Sequence, residues 1–223
     1  MADPHERRPE DGAPDQSLPA AYFERLYAES PDPWRFTTSP YEAAKYARTL
    51  AALPRALYPS ALEVGCSIGV LTRRLAARCG HLLSVDVSEA ALAQARVRCA
   101  GLPNVTFERC VLPQEFPPGT FSLIVLSEVG YYFSERDLER VIDECAGALE
   151  PGGHLLLVHW TGETPYPLTG DRVHEAFLAR AETDGWALWR PLHAERHSEY
   201  RLDLLERMRQ AYARVPQAAL GLL

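Results

Sequence analysis

The chain has 223 residues, enough for one domain with a sizeable core. Hydrophobic residues make up 47% and charged residues 24%, and a formal net charge of -7 offers no basic footprint for nucleic acid. Apolar runs such as 155–158 are far too short to span a bilayer, and the five cysteines are an odd, widely spaced set with no Cys-x-x-Cys pair, which argues against a disulfide framework or a zinc site.

Residues 1–17 are charged and Pro-rich, without the apolar stretch of a secretory signal. They are expected to be a disordered tail, with the chain in a reducing cytoplasm. From Leu18 the pattern turns helical, with Tyr22, Phe23, Leu26 and Tyr27 at three- and four-residue spacing. Ser30-Pro-Asp-Pro33 breaks that helix. A second helix is predicted from Ser39 to Leu57, with Ser39 as N-cap, Pro40 at the first position and Glu42 completing a capping box. Strand and helix then alternate. Strands are predicted at Ala61–Val64, His81–Val85, Asn104–Cys110, Thr120–Ser127 and His154–Trp160. Helices are predicted over Val70–Cys79, from the Ser88 cap to Ala100, and from Ser134 to about Glu150, followed by a turn at Pro151-Gly152-Gly153. A last helix over about Asp171–Ala181 precedes two strand-like stretches, Trp186–Leu192 and Ser198–Leu205. Such alternation predicts a parallel sheet with right-handed crossovers, and the late strand pair predicts an antiparallel edge.

The most informative segment is Leu62-Glu63-Val64-Gly65-Cys66-Ser67-Ile68-Gly69, leaving a strand for a helix. Glycine lets backbone approach a ligand there, and helix N-terminal amides favour an anionic group. Twenty-one residues after Gly65, Asp86 ends the next strand, where a carboxylate can accept both hydroxyls of a ribose. A P-loop would need Gly-Lys-Ser/Thr, and a dinucleotide fold would need G-x-G-x-x-G; neither is present.

The pattern E-x-G-x-x-x-G followed by Asp86 resembles the class I S-adenosylmethionine (SAM)-dependent methyltransferases over about residues 60–160. The segments Asp32-Pro-Trp34-Arg35-Phe36, Ser39-Pro-Tyr41-Glu42 with Lys45, and Ser127-Glu128-Val129-Gly130-Tyr131-Tyr132 are similar to the nodulation-protein-S group of N-methyltransferases. The resemblance implies a Rossmann-like, doubly wound α/β fold. Its seven-stranded sheet would be mostly parallel with an antiparallel edge strand, under N-terminal lid helices. It implies cap helices at 18–57, a SAM-binding domain at 58–212 and a tail at 213–223. Gly65, Cys66 and Gly69 would hold the methionine part of SAM, with Glu63 organising the turn. Asp86 would bind the ribose, Val87 and Val111 would lie beside the adenine, and Ser127 would line the pocket. Trp34 and Arg35 would be lid contacts, the guanidinium suiting a carboxylate. The family usually has a third glycine where this chain has Ser67, and an acidic partner for the adenine amine where it has Cys110, so adenine recognition is expected to use backbone amides instead.

The expected reaction is methyl transfer to an amine or hydroxyl of a small, sugar-like acceptor. Glu128 and His159, at C-terminal strand ends, are the candidate bases. Tyr131, Tyr132, Trp160, Tyr166, Asp171 and His174 are the candidate acceptor wall. No metal, nucleic acid or membrane is expected to take part, and the chain would be a monomer or homodimer. Two other readings stay open on the residues alone: an NAD-dependent oxidoreductase and a non-catalytic nucleotide-binding module of the same fold.

Overall fold

A computed structural model describes residues 15–180 and 188–208. The chain starts with two helices, α1 (Ala20–Glu29) and α2 (Pro40–Ala51). Next come β1 (Tyr58–Val64), α3 (Val70–Leu75), β2 (Cys79–Asp86), α4 (Glu89–Arg98), β3 (Val105–Arg109) and β4 (Phe121–Ser127). The last elements are α5 (Glu135–Ala148), β5 (Leu149–Trp160), α6 (Gly170–Ala179), β6 (Trp189–Arg196) and β7 (Tyr200–Arg207).

The seven strands form one sheet in the order β3-β2-β1-β4-β5-β7-β6. The first five pair in parallel, while β7 is antiparallel to both β5 and β6. The predicted doubly wound sheet is therefore present. The one reversed strand is β7, which lies one position inside the edge; β6 is the edge. Strand order reverses between β1 and β4, and such a switch point opens a crevice at the C-terminal strand ends. Alternate residues of the central strands feed two cores. Leu62, Val64, Ile124, Leu126, Leu155 and Leu157 pack on one face with Leu138, Val141 and Ile142 of α5. Ala61, Leu123, Val125, Leu156 and Val158 pack on the other with Leu71 and Leu75 of α3.

The predicted caps form as hydrogen bonds. Ser39, Ser88 and Ser134 accept from the amides of Glu42, Ala91 and Asp137. Thr169, not predicted as a cap, accepts from the Arg172 amide at the start of α6. Several boundaries move. Strand β1 starts at Tyr58 rather than Ala61, and α3 stops at Leu75 rather than Cys79, which instead opens β2. Helix α2 stops at Ala51 rather than Leu57, because Pro54 disfavours helical backbone just before it. The predicted turn at Pro151–Gly153 is absorbed into β5, which starts at Leu149 and changes register against β4 between Phe121 and Leu123, with Gly152 at φ 82°. The last two strands sit further along the chain than predicted, at Trp189–Arg196 and Tyr200–Arg207. Most of the predicted N-terminal tail, the end of the last predicted helix at Ala181, the start of the Trp186 strand and the C-terminal tail lie outside the described residues.

Candidate functional site

A cavity of about 1060 Å³ opens at the C-terminal ends of β1, β2 and β4. The segment from Asp15 to Tyr46, with α1 and α2, forms its other side. Among the described residues, three that are not glycine adopt left-handed backbone: Arg35 (φ 59°), Ser67 (φ 51°) and Glu128 (φ 57°). All three line this cavity. Such backbone is sterically costly for a residue with a Cβ, and it persists where surrounding contacts fix it, chiefly at ligand sites.

The glycine turn is built for close approach. Gly65 has φ 73°, and a Cβ there would come within 3.0 Å of the Val129 side chain. Gly69 has φ 77° and packs against Ala95 of α4, where a Cβ would meet backbone at 3.0 Å. Gly69 thus serves helix packing, and it does not line the cavity. Below the turn, Glu63 is fully buried and accepts from Ser84 Oγ at 2.7 Å. Burial raises its pKa to about 7, against the lowering effect of its hydroxyl partners. Ser67, at the third-glycine position, points its hydroxyl to within 2.5 Å of Tyr27 Oη on α1, tying the turn to the lid. Its amide donates to Asp86 Oδ2 at 2.8 Å, and the Ser88 amide donates to Asp86 Oδ1 at 2.9 Å. Each Asp86 oxygen therefore carries one amide donor. A carboxylate offers about four acceptor sites, so capacity remains for two more donors from the cavity. Burial outweighs the Ser88, Ser67 and Val87 amides and lifts Asp86 to about 6.

The Asp32 carboxylate accepts from the amides of Phe36 and Thr37 at 2.8 and 2.9 Å, closing the turn that holds Arg35. Trp34 lines the cavity, stacked on Phe36 and edge-on to Tyr27. On the adenine side expected from the sequence, Val87, Cys110 and Val111 line the cavity. The Val111 amide donates to Glu115 Oε2 at 2.8 Å, so it is not among the backbone amides left for the adenine.

On the opposite wall, Lys45 Nζ lies 2.9 Å from Glu42 Oε1 and 2.6 Å from Glu128 Oε1. The second oxygen of Glu128 accepts from Tyr131 Oη at 2.7 Å and from the Trp160 amide at 3.0 Å. Burial alone would raise the Glu128 carboxyl; the Lys45 charge, the Lys45 hydrogen bond and the Trp160 amide outweigh it and hold the group at about 2. Glu128, expected as a base, is in the structure an anchor joining α2 to the loop after β4, with its carboxyl held ionised at neutral pH.

His159 is also placed differently from the expectation. It is fully buried and does not line the cavity. Its Nε2 accepts from the Gly130 amide at 3.0 Å, which leaves Nδ1–H to donate to His174 Nε2 at 3.1 Å. His174 in turn donates from Nδ1 to Asp203 Oδ2 at 2.7 Å. Burial lowers both pKa values and so favours the neutral rings that this chain of hydrogen bonds requires. His159 thus supports the turn carrying Tyr131 and has no nitrogen left for a reacting proton. His159→Phe is expected to orphan the Gly130 N–H and the His174 ring nitrogen, costing about 1–3 kcal/mol. Urea unfolding checks this; an unchanged midpoint would return the histidine to a non-structural role.

Of the expected acceptor wall, Tyr131, Tyr132 and Trp160 line the cavity. Tyr166, Asp171 and His174 do not. Tyr166 stacks behind Tyr131 with ring centroids 5.4 Å apart. Asp171 pairs with Arg196 and Arg201 on the surface. His174 is the middle of the buried chain above. Of the expected cofactor contacts, Trp34, Arg35, Glu63, Gly65, Cys66, Asp86, Val87, Val111 and Ser127 all border the cavity.

Sequence reasoning gave Glu42 only a capping role. In the structure the Ser39 amide bonds the Arg35 carbonyl, so the reciprocal half of the capping box is absent and the Glu42 carboxylate turns to Lys45. The signal available was the three-residue spacing of opposite charges, Glu42 and Lys45. Eight carboxylates line the cavity (Asp15, Asp32, Glu42, Glu63, Asp86, Glu128, Asp137, Glu199) against three fixed cations (Arg35, Lys45, Arg136). The site is therefore suited to positively charged ligands.

The family model for nodulation protein S (NodS) matches residues 23–159. Nodulation protein S of Bradyrhizobium diazoefficiens is 37% identical over 127 residues, covering 56% of this chain and 61% of that protein. The Rhizobium tropici protein of the same name is 32% identical over 127 residues, covering 56% and 53%. The chain thus matches between half and two thirds of the length of these relatives. A solved Pseudomonas syringae chain, described as a candidate methyltransferase, is 38% identical, with a TM-score of 0.65 over 75% of this chain and 99% of that one. The N-methyltransferase NodS of Bradyrhizobium japonicum WM9, solved with S-adenosyl-L-homocysteine (SAH), shares the fold. Its TM-score is 0.74 at 24% identity, over 84% of this chain and 97% of that one.

Proposed function

Because the chain belongs to the nodulation protein S family, we propose that it is a SAM-dependent methyltransferase acting on an amine or hydroxyl of a small, sugar-like acceptor. The observation that carries the reading is the strained, acid-rich cavity at the switch point of the sheet. Its floor is the Gly65 turn and its wall is Asp86. The residues fit SAM. Gly65 holds a left-handed turn with the Val129 side chain packed against it, Asp86 keeps spare acceptor capacity, and the excess of carboxylates matches a sulfonium and an ammonium.

In this reading Gly65, Cys66 and Ser127 hold the methionine part, with Glu63 stiffening the strand end below them. Arg35 is exposed at the rim, and among the described residues no partner engages its guanidinium, so it is placed for the methionine carboxylate. Trp34 covers the site, Asp86 takes the ribose hydroxyls, and Val87 and Val111 flank the adenine. Bound SAM supplies an electrophilic methyl group for in-line displacement. The protein contributes position and exclusion of water, through Tyr131, Tyr132 and Trp160 on the acceptor side and the α1–α2 segment above. Among the described residues no helix is long and apolar enough to cross a membrane.

Calorimetric titration with SAH, SAM and NAD tests the assignment. SAM and SAH are expected to bind in the micromolar range or tighter and NAD not at all. NAD binding without SAH binding would refute the proposal.

A further inference from the structure

Resting on the methyl-transfer reading, we infer that Glu42 takes the proton from an ammonium acceptor, through its Oε2 atom. Two carboxylates share one lysine at the acceptor end of the cavity, and their environments differ. Glu128 spends both oxygens, one on Lys45 and the other on the Tyr131 hydroxyl and the Trp160 amide. Glu42 spends only Oε1, on Lys45. Its Oε2 is buried without a hydrogen-bond partner, although the residue is only 8% exposed and lines the cavity. The Tyr41 hydroxyl, from the neighbouring position, is also buried without a partner and borders the same space.

A buried carboxylate oxygen with no donor is costly, so its presence in a cavity wall points to a ligand that brings the donor. The charge count agrees. Glu42 and Glu128 against Lys45 leave one negative charge over, which an ammonium would balance. The groups facing Glu42 are Lys45 and Tyr46 on its own helix, Asp32 from the preceding turn, Glu128 from the loop after β4, and Tyr41. Burial is the strongest influence and raises the Glu42 pKa, with Glu128 and Asp32 adding to it and Lys45 opposing. Environments that push two carboxylates apart assign one as the fixed charge and the other as the proton carrier.

In the step, an N–H bond of the ammonium breaks, its proton goes to Glu42 Oε2, and the electron pair stays on nitrogen. The neutral amine then forms its bond to the methyl carbon as that carbon's bond to the SAM sulfur breaks, the pair returning to sulfur.

The test uses full-length protein loaded with SAH and labelled with ¹³C at the glutamate carboxyls. Methylammonium is the probe and tetramethylammonium, which has no N–H, is the control. The Glu42 resonance is identified by its loss in Glu42→Gln. It is expected to titrate above the ordinary glutamate range, to shift with methylammonium and to ignore tetramethylammonium. Glu42→Gln is expected to weaken methylammonium binding about tenfold or more while changing SAH affinity less than about threefold. A Glu42 resonance indifferent to methylammonium would overturn the inference, and so would a tenfold loss of SAH affinity in Glu42→Gln, which would place the residue with the cofactor. If Glu42→Gln fails to fold, Glu42→Asp, which keeps the charge and also removes the glutamate resonance, supplies the assignment, and the wild-type titration then decides. Absence of SAH binding in the wild-type protein would instead count against the methyltransferase reading itself.

Discussion

Lys45→Met is expected to cost about 3–5 kcal/mol of unfolding free energy at neutral pH. The ammonium is 2% exposed and lies between Glu42 and Glu128, which are nearly as buried. Methionine fills similar volume, so the cost comes from two carboxylates left without a cation. The pH dependence has a definite sign. Glu128 sits at about 2 in the folded protein, below its unfolded value, so its contribution is present above about pH 4.3 and is lost as pH falls towards 2. Removing Lys45 abolishes that contribution. Acid also protonates both carboxylates and relieves the variant. The stability gap between wild type and Lys45→Met should therefore narrow steadily from pH 7 to pH 3. A constant gap would mean that Lys45 acts by packing alone. A Glu128→Gln/Lys45→Met double variant should recover part of the loss, because one of the stranded charges is gone.

The anchor also explains why the lid is legible in the sequence while its chemistry is not. The α1 and α2 segments declare themselves by periodicity and by the Ser39 cap, which are local properties. The partner of Lys45 is Glu128, 83 positions away, and no local pattern announces it. The same limit applies to His159. A histidine ending a strand next to a cofactor motif has the right chemistry for a base, but its direction depends on Gly130, His174 and Asp203, three distant positions. The central sheet is legible because its strands are apolar runs buried on both faces. The Gly65 turn is legible because backbone geometry demands glycine there. Ser67 shows how a departure is accommodated: it accepts left-handed backbone and uses its hydroxyl to hold Tyr27. The β5 start is not legible in the sequence because Pro151-Gly152-Gly153 carries turn signals, and only pairing with β4 overrides them.

Asp86→Ala should weaken SAH binding by about 1.5–3 kcal/mol, roughly 10- to 150-fold, if the ribose hydroxyls donate to this carboxylate. The variant also strands the Ser67 and Ser88 amides, so Asp86→Asn is the needed companion. Asparagine keeps one acceptor oxygen and loses the charge; it should fall between wild type and alanine. The pH response separates the ribose contact from damage to the turn. In the unliganded fold Asp86 stands at about 6, above its unfolded value, so the protonated form is favoured and this group's contribution to stability declines as pH rises from about 3.8 to 6. Hydroxyl donors prefer the ionised form. SAH should thus bind more tightly as pH rises through 6, with proton release on binding below that point. Glu63, at about 7, is the other group titrating nearby, and it remains in the variant. Loss of the limb near pH 6 in Asp86→Ala, with any dependence near pH 7 retained, would assign the ribose contact to Asp86. A wild-type affinity that is flat between pH 5 and 8 would mean that the carboxylate serves only the two amides it already holds.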